Sequence, residues 1–220
     1  MVDEYLSERE QAEQLSHWLR ENWLWLVAGV VLGLGSVYGY RWWNAHQAAR
    51  SEEAEQQFSA MLDALGRSQR DEGLQIAGKI TGEYTDTPYA DQTRLVIARL
   101  DIEAGELDKA ATTLRQVMDS TRDPELALVA RLRLARVQLA KGSFDDALAT
   151  LEAVDNPAVA ARVAELRGDV MVARGKPADA LLAYRQAQSA AEDGKSADGL
   201  VDQELLRLKI DELTATTAAE

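Results

Sequence analysis

The chain lacks cysteine altogether, and only two of its 220 residues are histidine. A chain without cysteine has no disulfide, no thiolate metal ligand and no cysteine nucleophile. His17 and His46 stand at opposite ends of a long uncharged segment, which prevents them from sharing a site. Zincin, nucleophile-elbow and phosphate-loop motifs are also missing. We therefore expect no enzyme, no catalytic residue, no bound metal and no cofactor.

Basic residues are too few to balance the acidic ones. The chain has 24 Lys and Arg against 37 Asp and Glu, which gives a formal net charge of −13. An acidic protein repels nucleic acid and anionic lipid headgroups. No basic patch with interleaved aromatic residues reverses this balance locally, so we expect no nucleic-acid partner.

One long segment, residues 22–40, carries no charged side chain. As a helix it would extend about 28 Å, close to the hydrocarbon thickness of a bilayer. Aromatic residues, which favour the membrane–water interface, stand at both of its ends. They are Trp18, Trp23 and Trp25 near its start and Tyr38, Tyr40, Trp42 and Trp43 near its end. The sequence predicts a single transmembrane helix.

A cleaved signal peptide and a buried core helix are the alternatives for this segment. A signal peptide needs a short basic leader and a small-residue cleavage site after the apolar run. Here the leader, residues 1–21, is acidic, and the run is followed by Arg41-Trp-Trp-Asn44. The length and the aromatic ends argue against a core helix. We therefore expect a membrane anchor that is retained.

Small residues within the predicted span favour a contact with another membrane helix. Gly29, Gly33 and Ser36 share one helical face, and Gly35 and Gly39 form a second small pair. Small side chains let two helices approach closely in lipid. Glycine is also common in membrane helices that make no such contact, so both interpretations stay open.

The rest of the chain contains an internal repeat marked by Gly105, Gly142 and Gly175, which are 37 and 33 residues apart. Each glycine would end a first helix with a left-handed turn. A small residue stands seven positions before each glycine, an alanine five positions after it, and a large apolar residue nine positions after it. These sets are Ala98, Ala135 and Gly168; Ala110, Ala147 and Ala180; and Leu114, Leu151 and Tyr184. Small residues would permit close helix crossing, and the large ones would fill the space between helix pairs.

This pattern resembles the tetratricopeptide repeat, a helix–turn–helix unit of about 34 residues. The large aromatic residues expected early in the first helix are replaced by Arg94, Arg131 and Ala164. A capping side chain followed by proline predicts the start of each first helix. These pairs are Thr87-Pro88, Asp123-Pro124 and Asn156-Pro157, and Pro177 would open the second helix of the third repeat.

Segments outside the three repeats are expected to be incomplete or capping elements, as terminal repeats usually are. Residues 50–67 and 71–84 would form an incomplete first pair, and residues 200–213 a capping helix. Residues 192–199 would form a polar loop, and residues 214–220 a frayed end.

The predicted fold is therefore all-α, since no segment shows the period-two alternation of a strand. A tail of residues 1–21 would precede a single transmembrane helix at residues 22–41. Residues 42–220 would form a tetratricopeptide-like right-handed helical-repeat solenoid.

The first helices of such a solenoid line a concave groove. Arg99 and Arg136 occupy the same place in successive repeats, and a guanidinium group matches carboxylate geometry. They are candidates to hold the carboxylates of an extended peptide. The alternative is structural, because Glu103 stands four residues after Arg99 as a helix-surface partner. The candidate groove positions are Gln92, Leu95, Arg99, Val129, Leu132, Arg136, Arg162, Glu165 and Asp169.

Several segments, in order and over almost the whole chain, resemble the YfgM family. They are Tyr5-Leu-Ser-Glu-Arg-Glu-Gln-Ala-Glu13, Trp18-Leu-Arg-Glu-Asn22, Tyr40-Arg-Trp-Trp-Asn-Ala-His-Gln47, Leu132-Arg-Leu-Ala-Arg-Val-Gln-Leu139 and Leu166-Arg-Gly-Asp169. Charge counting leaves the orientation open, because two arginines flank each side of the span. The resemblance implies a single-pass type II protein of the bacterial inner membrane, with a cytoplasmic amino terminus and a periplasmic repeat domain.

The resemblance also implies partners. YfgM-like proteins are ancillary subunits of the SecYEG translocon and associate with PpiD, a membrane-anchored periplasmic chaperone. We therefore expect a non-catalytic scaffold that docks beside the translocon and recruits a PpiD-like chaperone or holds unfolded periplasmic or outer-membrane clients. A second hypothesis is a regulator of an envelope stress response, acting through a cytoplasmic tail with a Ser7-x-x-Glu10 capping box. A third, a periplasmic hydrolase or isomerase, has no residue in its favour.

Overall fold

The computed structural model describes residues 8–193, 199 and 201–217, with side chains from Ser16 to Ala215 within those ranges. Its helices are α1 (Glu8–Gly66), α2 (Arg70–Glu83), α3 (Pro88–Glu103), α4 (Leu107–Ser120), α5 (Pro124–Ala140), α6 (Phe144–Glu152), α7 (Ala160–Ala173), α8 (Pro177–Glu192) and α9 (Gln203–Thr217). A short 3₁₀ helix, Pro157–Val159, precedes α7. No strand occurs in these ranges, which confirms the predicted all-α class. The chain divides into two compact units after Glu53.

The first unit contains an apolar stretch of α1 whose large side chains are exposed, including Trp23, Leu32 and Trp42. In the described part of the chain, this is the one helix long and apolar enough to cross a membrane. Its polar groups bond within the helix: the Asn22 amide donates to the Trp18 carbonyl (2.9 Å) and the Ser36 hydroxyl to the Leu32 carbonyl (2.7 Å). Internal hydrogen bonding of this kind is what a lipid environment requires.

The second unit, from Ala54 onward, contains the repeats, and its core lies where the repeat pattern predicts it. The seventh residue before each turn glycine is buried, and the three alanines five positions after it are fully buried. The large residues nine positions after it, Leu114, Leu151 and Tyr184, are at most 2 % exposed. The helix–turn–helix repeat is thus confirmed at the positions that define it.

The predicted left-handed turns are present at Gly105 (φ 77°), Gly142 (φ 75°) and Gly175 (φ 70°). Ser68 takes the same conformation (φ 62°) in the turn between α1 and α2, and it also lies two residues before its second helix. In each of these turns the amide of the following residue donates a hydrogen bond to the carbonyl five residues earlier. Gln69 donates to Ala64 at 2.9 Å, and Glu106 donates to Asp101 at 2.8 Å. The incomplete first pair therefore uses the same turn with serine in place of glycine.

The three predicted helix starts differ in how they are capped. The Asp123 carboxylate accepts from the amides of Glu125 (2.8 Å) and Leu126 (3.3 Å), as expected for an N-cap. Thr87 precedes α3 but does not cap it with its side chain, because its hydroxyl donates to the Tyr84 carbonyl (2.8 Å).

A helix does begin at Pro157 as predicted, but its first turn, Pro157–Val159, is a 3₁₀ helix, and the α-helix α7 begins only at Ala160. The Asn156 side chain accepts from the amide of Ala158 (2.9 Å), so the predicted cap is present at this 3₁₀ helix.

The capping helix α9 begins at Gln203, three residues later than predicted, because Asp202 accepts from the amides of Glu204 (3.0 Å) and Leu205 (3.1 Å). The predicted fraying after residue 213 is wrong for residues 214–217, because α9 extends to Thr217. The proposed Ser7-x-x-Glu10 capping box and most of the predicted 192–199 loop lie outside the described residues.

Candidate functional site

The structure brings two of the predicted groove residues, Arg99 on α3 and Arg136 on α5, to one cavity of about 340 Å³. Its wall is formed by α3, α4 and α5. The remaining lining residues are Ala98, Ile102, Leu107, Leu114, Arg133, Val137 and Ala140. The cavity is therefore apolar, with an arginine-rich rim.

Arg133 is a rim residue that the repeat comparison missed. It lies three residues before Arg136, so both guanidinium groups project from one face of α5. The spacing of residues 133, 136 and 140 places them on one helical face and so could have predicted Arg133, whereas equivalence between repeats does not.

The three rim arginines differ in their partners. Arg99 Nε donates to Glu103 Oε1 at 2.8 Å, which is the surface pair considered from the sequence. Arg133 and Arg136 are exposed and have no acidic partner within residues 16–193, 199 and 201–215. The cavity thus presents two guanidinium groups with free donor capacity.

The chain departs from its own repeat at this cavity. At the equivalent places one repeat later stand Leu166, which is buried against Leu151, and the larger Phe144 in place of Leu107. The Arg174 guanidinium also lies 6.0 Å from the centre of the Phe144 ring. At the next interface a buried leucine and a larger aromatic residue therefore stand where the first interface has Arg133 and Leu107.

The other predicted groove positions have different surroundings. Leu95 is buried in the core around Leu114, and Leu132 packs against the cluster around Leu151. Gln92 is half-buried and Val129 is exposed. These residues do not line the cavity, and their role in binding stays a prediction.

In the third repeat, the predicted groove residues are held by α9 of the same chain. Lys209 Nζ donates to Glu165 Oε1 (2.9 Å) and to Asp169 Oδ1 (2.7 Å). Arg162 pairs with the other oxygen of Glu165, whose side chain is only 4 % exposed. The polar network ends at Tyr184, whose hydroxyl donates to Asp169 Oδ1 at 2.7 Å.

Burial raises the pKa of Tyr184, and its hydrogen bond to Asp169 raises it further. For Lys209, burial lowers the pKa, but the bonds to Asp169 and Glu165 outweigh this and leave the pKa raised. Lys209 therefore stays charged, and this end of the groove is closed by an ion-pair network between α7 and α9.

Ion pairs also recur between successive repeats. The Lys141 ammonium, just after α5, lies 2.5 Å from Asp108 in the first turn of α4. Arg174 and Asp145 make the equivalent pair one repeat later. At the first interface Arg70 instead donates to the Leu100 carbonyl at 3.0 Å. A cation thus links two helix ends at each of these three interfaces.

The small-residue face of the apolar helix is open in the described chain. A Cβ added at Gly29 or Gly33 would meet no atom within 4 Å. The helix–helix contact at Gly29, Gly33 and Ser36 stays a prediction.

One membrane-suited helix followed by helix–turn–helix repeats defines an anchored tetratricopeptide-like repeat protein. Residues 16–215 match the family model described as a tetratricopeptide repeat-like domain. The chain is similar to proteins named "Ancillary SecYEG translocon subunit" from Escherichia coli (33 % identity; 96 % of this chain, 98 % of the relative), Haemophilus influenzae (27 %; 94 % and 98 %) and Neisseria gonorrhoeae (26 %; 95 % and 98 %). The chain belongs to this family, which confirms the resemblance seen in the sequence.

A solved structure titled "MamA RS-1 ArsTM double mutant" covers 76 % of this chain and 97 % of its own length, with a TM-score of 0.51. At 18 % identity this likeness shows the fold alone.

Proposed function

We propose that the chain is a non-catalytic, inner-membrane subunit that associates with the SecYEG translocon and offers its repeat domain as a scaffold to other polypeptides. The observation that carries this proposal is the extent of the match. The E. coli relative, named as a translocon subunit, aligns over 96 % of this chain, so the apolar helix and the repeats both fall within it.

The proposed division follows the sequence. Residues 1–21 form a cytoplasmic tail, residues 22–41 span the membrane and residues 42–220 form the periplasmic domain. The exposed apolar face of α1 supports the span. The absence of cysteine is compatible with an oxidising compartment.

The proposed partners of the repeat domain are a PpiD-like chaperone, emerging clients, or both. The open cavity beside Arg136 supports a binding role, because its apolar wall is uncovered where the next interface has the buried Leu166. The proposed docking element toward the translocon is the face of Gly29, Gly33 and Ser36.

The proposal is tested by purification from membranes in mild detergent. The native chain is compared with a variant whose residues 23–40 are replaced by an unrelated span. Recovery of SecYEG with the native chain alone places docking in the anchor. Equal recovery with both moves docking to the repeat domain, and no SecYEG with either overturns the proposed association.

The orientation is tested separately, and the cysteine-free chain gives a clean background. Single variants Ser7→Cys and Gln116→Cys place one thiol in the tail and one on an exposed position of α4. In intact spheroplasts, a membrane-impermeant maleimide should label Gln116→Cys and leave Ser7→Cys unlabelled until the cells are lysed. The opposite pattern would reverse the proposed orientation.

A further inference from the structure

We propose that the cavity between α3, α4 and α5 takes a large apolar side chain from a partner polypeptide, with acidic residues beside it bound by Arg133 and Arg136. The inference rests on the proposed scaffold role and specifies the partner's chemistry. The inference goes beyond the pair Arg99 and Arg136 predicted from the sequence, because it adds the apolar cavity and Arg133 to the binding site.

The apolar part of the argument starts from the cavity wall. The floor of the cavity comes from Ala98, Leu114 and Val137, which are core residues. Ile102, at its edge, is 38 % exposed. At about 340 Å³ the cavity lies at the small end of protein ligand sites, which suits one large side chain better than a whole ligand. An apolar side chain there would cover surface that otherwise faces water.

The charged part of the argument comes from the rim. Three arginines and no acidic residue line the cavity, although the whole chain has a net charge of −13. Arg99 is already paired with Glu103, whereas Arg133 and Arg136 have no acidic partner in the described part of the chain. Guanidinium groups bind carboxylates with two parallel hydrogen bonds, so the complementary segment is acidic.

Comparison between repeats supports an external occupant. Interior positions of a repeat protein normally pack against the neighbouring repeat. At the equivalent interface Leu166 supplies that packing from within the chain, since it is buried in one cluster with Ala135 and Leu151. At the cavity, Arg133 stands in place of Leu166, so an apolar contact is exchanged for an exposed positive charge.

The test measures binding of a short fluorescent peptide with one phenylalanine flanked by glutamates. The full-length chain is held in nanodiscs of zwitterionic lipid. Control peptides replace the phenylalanine with alanine or the glutamates with lysine. We expect saturable binding of the acidic peptide, about tenfold or more weaker binding of each control peptide, and weakening with added salt.

Two matched pairs of variants locate the site. Ala140→Phe places a ring at the cavity edge, and Ala173→Phe places one at the equivalent last residue of α7. Arg133→Gln/Arg136→Gln removes two rim charges, and Arg185→Gln/Arg207→Gln removes two exposed charges elsewhere. We expect about tenfold or more weaker binding for the first member of each pair and little change for the second.

Equal binding of the acidic and basic peptides, equal loss in both members of a pair, or no saturable binding would overturn the inference. Tighter binding of oleate than of the acidic peptide, or loss of a self-associated dimer in Ala140→Phe alone, would assign the cavity to a lipid or to a second copy instead. SecYEG recovery is measured independently, so failure of this inference is distinguishable from failure of the proposed translocon association.

Discussion

The ring of Tyr184 on α8 lies directly over Gly168 on α7, so closely that an added Cβ at residue 168 would overlap its ring carbons. The two residues are the small and the large positions of the third repeat. Tyr184 is 2 % exposed, and its hydroxyl continues into the network that holds α9. One close contact therefore joins the repeat packing to the capping helix.

Gly168→Ala should destabilise the repeat domain by about 1–3 kcal/mol, because Tyr184 must move from its packed position. The gain in helix propensity, about 1 kcal/mol, offsets part of this cost. Gly78→Ala is the matched control: it lies inside α2, and a Cβ there would meet nothing within 4 Å. Denaturant unfolding should show loss for the first variant and a small gain for the second. A gain for both would contradict the packing described for Tyr184.

Ser68→Gly should stabilise the first helix pair by about 1 kcal/mol, since a left-handed backbone costs a residue with a Cβ roughly that much. The three later turns carry glycine at the same position and the same conformation. Ser68→Ala is the control and should give no such gain, because it keeps the Cβ. Thermal unfolding of both variants checks this, and an equal shift in both would remove the conformational explanation.

Lys209→Met should destabilise the domain by about 1–3 kcal/mol, because Glu165 stays buried after losing one of its two cations. Arg207→Met, an exposed change on the same helix, should stay within about 0.5 kcal/mol of the native chain. Equal unfolding midpoints for the two variants would show that the network contributes no net stability.

The Asp108–Lys141 pair should make stability depend on pH. The hydrogen bond and then the charge of Lys141 lower the pKa of Asp108 below its ordinary value of 3.8. A carboxyl with a lowered pKa stabilises the fold above its ordinary pKa, and this contribution is lost as the pH falls through the lowered value.

Asp108→Asn should therefore be less stable than the native chain at neutral pH, with a gap that closes as the pH falls below 3.8. Asp71→Asn is the matched control, since Asp71 is also second in its helix, and the residue equivalent to Lys141 after the next helix is the uncharged Ala104. Urea titrations over a pH series measure both gaps. Gaps of the same size and pH dependence would assign the effect to the helix terminus instead of the ion pair.

Much of the repeat architecture follows from the sequence because its markers are local. A left-handed turn favours a residue without a Cβ, and a close helix crossing requires a small side chain. Gly105 takes the left-handed conformation and Ala110 is fully buried, as predicted. The sequence does not predict the role of Ser68, because serine is an ordinary surface residue. Only its backbone conformation shows that it occupies the position of a turn glycine.

The candidate site follows from the sequence only in part, because it depends on contacts between distant residues. Repeat equivalence predicts Arg99 and Arg136, and the structure brings both to one cavity. The same equivalence predicts Arg162 and Asp169 to be groove residues. In the structure Asp169 is bound by Lys209, which comes forty residues later in the chain, and Arg162 is paired with Glu165. Repeat equivalence misses Arg133, because the equivalent residue of the next repeat is Leu166 and not an arginine.

The most direct test of the proposed translocon association is photocrosslinking in living cells, with a photoreactive residue at position 33 or at position 31. Position 33 lies on the Gly29, Gly33 and Ser36 face, and Val31 is an exposed residue on the far side of the helix. We predict a crosslink to a SecYEG subunit from position 33 and none from position 31. No SecYEG crosslink from either position, with both variants in the membrane at native levels, would contradict the account.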